Sequence, residues 1–120
     1  MIYKFYDTCS LLLKANHLWD EDCEIVLSSI TLEELEHIKT SINKDPDVKF
    51  AARKLIKELD EHFGISYSVI FWNKELSDTL TDLDLPITND SKIIVCALDL
   101  FNRLQPGDKM TFVTNDNCCK

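Results

Sequence analysis

An α/β domain with a mostly parallel sheet and helices on both faces is the fold class this sequence predicts, on three observations. Short runs rich in β-branched and aromatic residues alternate with apolar stripes of helical period. Capping and stop residues stand at the boundaries between them. Each strand-like run is separated from the next by a helical stretch, and such crossovers are what parallel pairing requires. The length of 120 residues allows one domain. A chain of this size buries roughly 65% of its unfolded surface, enough for one hydrophobic core.

The elements follow in order. Ile2–Tyr6 is an apolar, aromatic strand, stopped by Asp7-Thr8. Ser10–Ala15 begins a helix, and Glu24–Ile30 (EIVLSSI) reads as a second strand. The following Thr31-Leu32-Glu33-Glu34 leads into a stripe of Leu35, Ile38 and Ile42. Asp45-Pro46 starts the next helix, with a capping carboxylate and Pro at the first helical position. Val48, Ala51, Ala52, Leu55, Ile56, Leu59 and Phe63 form its stripe, and Gly64 is the expected stop. Ile65–Trp72 (ISYSVIFW) is a third strand. Asn73–Leu85 reads as a short helix and a loop ending at Pro86. Asn89 caps a helix with Ile93, Ile94, Ala97, Leu98, Phe101 and Leu104 on its apolar face. After the turn Gln105-Pro106-Gly107-Asp108, Met110–Val113 is a fourth strand ending in Thr114-Asn115-Asp116.

Composition removes several classes of function. At 45% hydrophobic and 28% charged, with two Gly and three Pro, the chain is neither fibrous nor intrinsically disordered. A net charge of −8 excludes a simple basic coat for nucleic acid, though not a local basic patch. Five cysteines without a C-x-x-C pair, and three scattered histidines, argue against structural zinc and for a reducing compartment. Lys4 and Asp7 make the N-terminus too polar for a signal peptide, and no apolar run is long enough to span a bilayer. The expected location is the cytoplasm.

Four acids carry the functional signal. Asp7 directly follows the first strand, and Glu34 lies in the first turn of the helix after the second. Asp90 opens the helix before the last strand, and Asp116 closely follows that strand. In open parallel sheets these positions share the carboxyl rim, where sites form. Two unpaired carboxylates about 4 Å apart repel by roughly 4 kcal/mol at an effective dielectric near 20. Protons or a divalent cation must relieve that repulsion, and oxygen ligands favour Mg²⁺ or Mn²⁺. Such an ion can activate water or stabilise charge on a phosphodiester.

At these residues the sequence resembles the PIN-domain ribonucleases. FYDTCSLL is similar to their opening motif, and SSITLEELEHIK to the second, whose acid is Glu34. NDSKIIVCAL resembles the third, through Asp90, Ile93 and Ala97, and TFVTND the fourth, through Thr114, Asn115 and Asp116. Ala52-Arg53 before an apolar helix is similar to the variant fused to PhoH-type ATPases. The resemblance implies a Rossmann-like three-layer sandwich and metal-dependent cleavage of single-stranded RNA. Asp7, Asp90 and Asp116 would hold the metal, Glu34 would orient water, and Thr114 and Asn115 would hold Asp116. An ATPase domain, fused or associated, and self-association into a homo-oligomer are the further partners it implies. Cys9 departs from the usual Ser or Asn of the first motif. The family usually continues with a helix and an edge strand after the fourth motif. The expectation is therefore one domain over 1–120, belonging to a longer protein or trimmed.

Blander roles compete for each residue. Asp7 can cap its helix, and Thr31-x-x-Glu34 has the spacing of a capping box. Asp90 can complement a helix dipole, and Asp116 can be a turn residue. Glu34-x-x-His37 has di-iron spacing but no second copy. Cys9 and Cys96 suit packing, and Trp19 and Trp72 suit core or rim packing as well as base stacking. Between Lys39 and Lys57 lie six basic and two acidic side chains, leaving +4 against −12 elsewhere. Lys49, Arg53 and Lys54 in that segment are the candidate contacts to RNA phosphates. A non-catalytic scaffold for RNA or a protein, and a toxin-type nuclease with an antitoxin partner, are the rival functions. A HAD-type phosphatase needs a second Asp where Cys9 stands, which excludes it.

Overall fold

The computed structural model describes residues 1–14, 18–20, 22–41 and 45–114. Four strands form a fully parallel sheet: β1 (Ile2–Tyr6), β2 (Glu24–Ser28), β3 (Tyr67–Ile70) and β4 (Lys109–Val113), in the order β3-β2-β1-β4. Five helices connect them: α1 (Thr8–Lys14), α2 (Ser29–Thr40), α3 (Pro46–Glu61), α4 (Lys74–Asp82) and α5 (Asn89–Asn102). This is the PIN-like α/β architecture expected from the alternation of periods.

Strand alternation divides the apolar side chains between two cores. Tyr6, Ile25, Leu27 and Tyr67 face one way, onto Leu11 of α1, Leu35 of α2, and Ala52, Leu55 and Leu59 of α3. Phe5 and Val26 face the other way, onto Leu76 and Leu80 of α4 and Ile93, Cys96 and Ala97 of α5. The sheet is thus covered on both faces, the condition under which parallel sheets are stable. Among the described residues no helix is long and apolar enough to cross a membrane.

Several boundaries differ from the sequence reading. The second strand stops at Ser28 because the Ser28 hydroxyl accepts the Ile30 N–H at 3.0 Å and caps α2 there. The third strand is shorter than Ile65–Trp72, since Ile65 and Ser66 bond back to the His62 carbonyl in the turn after α3. That turn puts Gly64 at φ +74°, a conformation that favours glycine, and leaves Phe63 64% exposed rather than in the core stripe. Thr88, not Asn89, caps α5. The buried face of α5 is rotated toward Val95 and Cys96, so Ile94 and Phe101 are exposed. Asp45 caps α3 as expected, accepting the Asp47 N–H at 2.8 Å. Ile42, in the predicted stripe of α2, lies outside the described residues.

Candidate active site

Asp7 is the single residue between β1 and α1, at the carboxyl edge of the sheet. Its N–H donates to the Val113 carbonyl at 3.1 Å, extending the pairing of β1 with β4 by one residue. Its carboxylate is held from two sides. Oδ1 accepts the Ser10 N–H at 2.8 Å, and Oδ2 accepts the Thr114 hydroxyl at 2.6 Å. Asp7 is therefore a helix cap and a rim carboxylate at once, for an ionised carboxylate offers about four lone-pair positions. The Thr114 hydroxyl, which the sequence reading assigned to Asp116, is turned to Asp7.

Glu34 meets the same corner from another element. The Thr8 hydroxyl, next in the chain to Asp7, donates to Glu34 Oε1 at 2.6 Å. Thr8 Oγ1 also lies 3.3 Å from Thr31 Oγ1, and both threonines are buried. The capping-box reading of Thr31 and Glu34 is corrected by this arrangement. Since α2 begins at Ser29 under the Ser28 cap, Thr31 is inside the helix and Glu34 is in its second turn. The Glu34 carboxylate reaches across to α1 instead of back to its own backbone.

Asp90 occupies the first turn of α5 and is exposed. The Ser28 hydroxyl, at the carboxyl end of β2, donates to Cys96 Sγ at 3.4 Å. Asp90 stands six positions before that contact, about 9 Å farther along the helix toward its start. This puts Asp90 on the carboxyl side of the sheet. Asn115 and Asp116 lie outside the described residues. Among the described residues, no three His, Cys, Asp or Glu side chains come together to hold a metal ion. What is assembled there is the pair Asp7 and Glu34, bridged through Thr8. All of these donors are hard oxygens, which suit Mg²⁺ or Mn²⁺ and give no soft ligand for zinc or copper.

The family model described as the PIN domain matches residues 5–120. The chain belongs to the PIN-domain family. Its coarse function is therefore of the nuclease type, as is general for PIN domains. No curated protein matches the chain at a significant level. Among solved structures, it is similar to a chain of the crystal structure of VapBC2 from Rickettsia felis bound to a DNA fragment from their promoter. That match has 21% identity and a TM-score of 0.49, covering 93% of this chain and 98% of that chain.

The remaining candidates of this PIN domain divide clearly. Arg53 and Lys54 are exposed on α3, and Lys49 is half-buried one turn earlier. Phe50, beside them, is 66% exposed. His37 is exposed on α2. Trp19 packs at the far end of the molecule, stacked on His62 with ring centroids 4.0 Å apart, so its role is packing. Trp72 is half-buried after β3, with the Lys92 ammonium 5.8 Å from its ring centroid. Cys9 is buried and disulfide-bonded, a pairing beyond the plain packing role the sequence suggested, whereas Cys23 and Cys96 are free thiols. Thr8 was not among the sequence candidates. A hydroxyl directly after the first acid was the available signal, but it needs a partner from α2 to acquire meaning.

Proposed function

We propose that this PIN domain is a divalent-metal-dependent endoribonuclease acting on single-stranded RNA. The observation that carries the reading is the meeting of Asp7 and Glu34 at one threonine hydroxyl on the carboxyl rim. Two carboxylates so close, in a protein of net charge −8, need a cation to offset them. Asp7, Asp90 and Asp116 would hold Mg²⁺ or Mn²⁺, with Asn115 beside Asp116. When bound, the ion supplies an activated water and neutralises charge developing on the phosphodiester.

The chain's own residues do the rest. Ser10 and Thr114 hold Asp7 in one orientation, and Thr8 holds Glu34 where it can accept a proton from, or orient, the attacking water. No side-chain nucleophile is required. Lys49, Arg53 and Lys54 place the RNA strand through its phosphates, which offsets the repulsion an acidic protein exerts on a polyanion. An ATPase domain, fused or associated, is the partner that the Ala52-Arg53 resemblance to PhoH-type proteins supports.

Incubation with a short single-stranded RNA, with Mn²⁺ or with EDTA, tests the reading. Cleavage should need the metal, and Asp7→Asn should slow it by roughly 100-fold or more. Asn caps helices about as well as Asp, so this variant should keep its fold. Full activity in Asp7→Asn, or cleavage that survives EDTA, would overturn the assignment. Absence of cleavage in the unaltered protein would favour the scaffold instead.

A further inference from the structure

We infer that a second, positively charged pocket beside Asp7 seats a backbone phosphate of the RNA strand next to the one that is cut. The pocket has a volume of about 290 Å³ and lies between α1 and the β1–β4 pair, on the face that carries α1. Tyr6 and Val113 are neighbours in the sheet and form part of its wall. Lys4 enters from β1, and Ser10 and Lys14 from α1, with Thr114 at the rim.

Three features point to an oxyanion as the occupant. First, two ammonium groups converge in a protein that is acidic overall. Lys4 sits on a central strand, two positions before Tyr6 on the same face, where the pattern of β1 calls for an apolar side chain. Each ammonium has three N–H donors, so it can bind a phosphate oxygen alongside other contacts. Second, Ser10 lines the pocket at 5% exposure, and its hydroxyl is buried without a hydrogen-bond partner. Buried hydroxyls are nearly always satisfied, so an unsatisfied one marks a position awaiting an acceptor. Third, the pocket adjoins the rim. Ser10 and Thr114 are the two residues whose groups bond the Asp7 carboxylate. A phosphate held by Lys4, Lys14 and Ser10 would place the next phosphodiester of the same strand beside Asp7. The assignment of that phosphate to RNA rests on the nuclease reading above, whereas the affinity for an oxyanion does not.

Two measurements in EDTA, where no cleavage occurs, test the proposal. One is the amide NMR spectrum of the full chain titrated with inorganic phosphate, which should shift the Ser10 and Lys14 signals selectively. The other is fluorescence anisotropy of a labelled hexauridylate. Lys4→Met and Lys14→Gln should each weaken RNA binding about fivefold or more and reduce the salt dependence by close to one phosphate contact. Ser10→Ala should weaken phosphate binding while keeping or raising the thermal midpoint, since it removes an unsatisfied hydroxyl. Lys74→Gln, on α4 across the sheet, should bind as the unaltered protein does. Unshifted Ser10 and Lys14 amides overturn the pocket. Phosphate-induced shifts with undiminished RNA affinity in both lysine variants reduce it to a small-anion site and overturn the RNA assignment. If the unaltered protein cleaves nothing with Mn²⁺ but the lysine variants lose RNA affinity, the nuclease reading falls and the phosphate seat stands.

Discussion

The Thr8 hydroxyl makes a 2.6 Å bond to a carboxylate, and such charge-assisted bonds are the shorter and stronger ones. Thr8→Val keeps the shape of the side chain and removes the donor. The expected loss of stability is about 1–2 kcal/mol, read from urea unfolding, because Glu34 is half-exposed and can recover some hydration. If Glu34 serves the reaction, cleavage should also fall by roughly tenfold, and Thr8→Ser should restore it. Equal activity in Thr8→Val would show that Glu34 needs no positioning. Thr114 acts on Asp7 in the same manner, so both acids of the corner are oriented by hydroxyls from other parts of the chain.

Helix starts follow local rules. Ser28, Asp45, Asn73 and Thr88 cap α2, α3, α4 and α5 through their side-chain oxygens. Asp45 does so in an exposed setting with Pro46 next to it, and Asp45→Ala should cost about 1 kcal/mol of stability in a thermal or urea melt. An unchanged midpoint would show that α3 is held by packing alone. Two caps compete at the start of α2, where Ser28 and Thr31 both have suitable side chains. Ser28 prevails, and that choice moves Glu34 from the first turn to the second. The consequence is functional, because a first-turn Glu34 would satisfy its own backbone.

The two cores on opposite faces of the sheet make overall stability sensitive to what is buried between sheet and helix. Burial pushes the Cys96 thiol above its ordinary range, partly countered by the Ser28 hydroxyl and reinforced by Asp99. Burial, with Asp60 nearby, also raises Tyr67. For a group whose folded pKa is raised, the unfolded chain loses its proton first. Stability is therefore full below the unfolded value and declines as pH rises toward the folded one. The melting temperature should start to fall above about pH 9, with Tyr67 adding to the decline above about pH 10. Cys96→Ser retains a hydrogen-bonding partner for Ser28 and does not ionise, so its decline should be shallower. Parallel pH profiles for the two proteins would remove Cys96 as the cause.

The kinds of element, their order and the rim position of Asp7 were determined by the sequence alone. Periodicity, capping and β-branched runs act within a few residues of themselves, and that range is enough to set strand–helix alternation. The placement of an acid after a strand or at a helix start then follows from parallel topology. Tertiary structure decided which side chains meet. The bonds Thr8–Glu34, Ser28–Cys96 and Thr114–Asp7 span 26, 68 and 107 positions. No local pattern encodes such partners, because they depend on how α1, α2, α5 and β4 settle around one sheet. The same settling turned Cys96 inward and Ile94 outward, and brought Lys4, Ser10 and Lys14 to a single pocket.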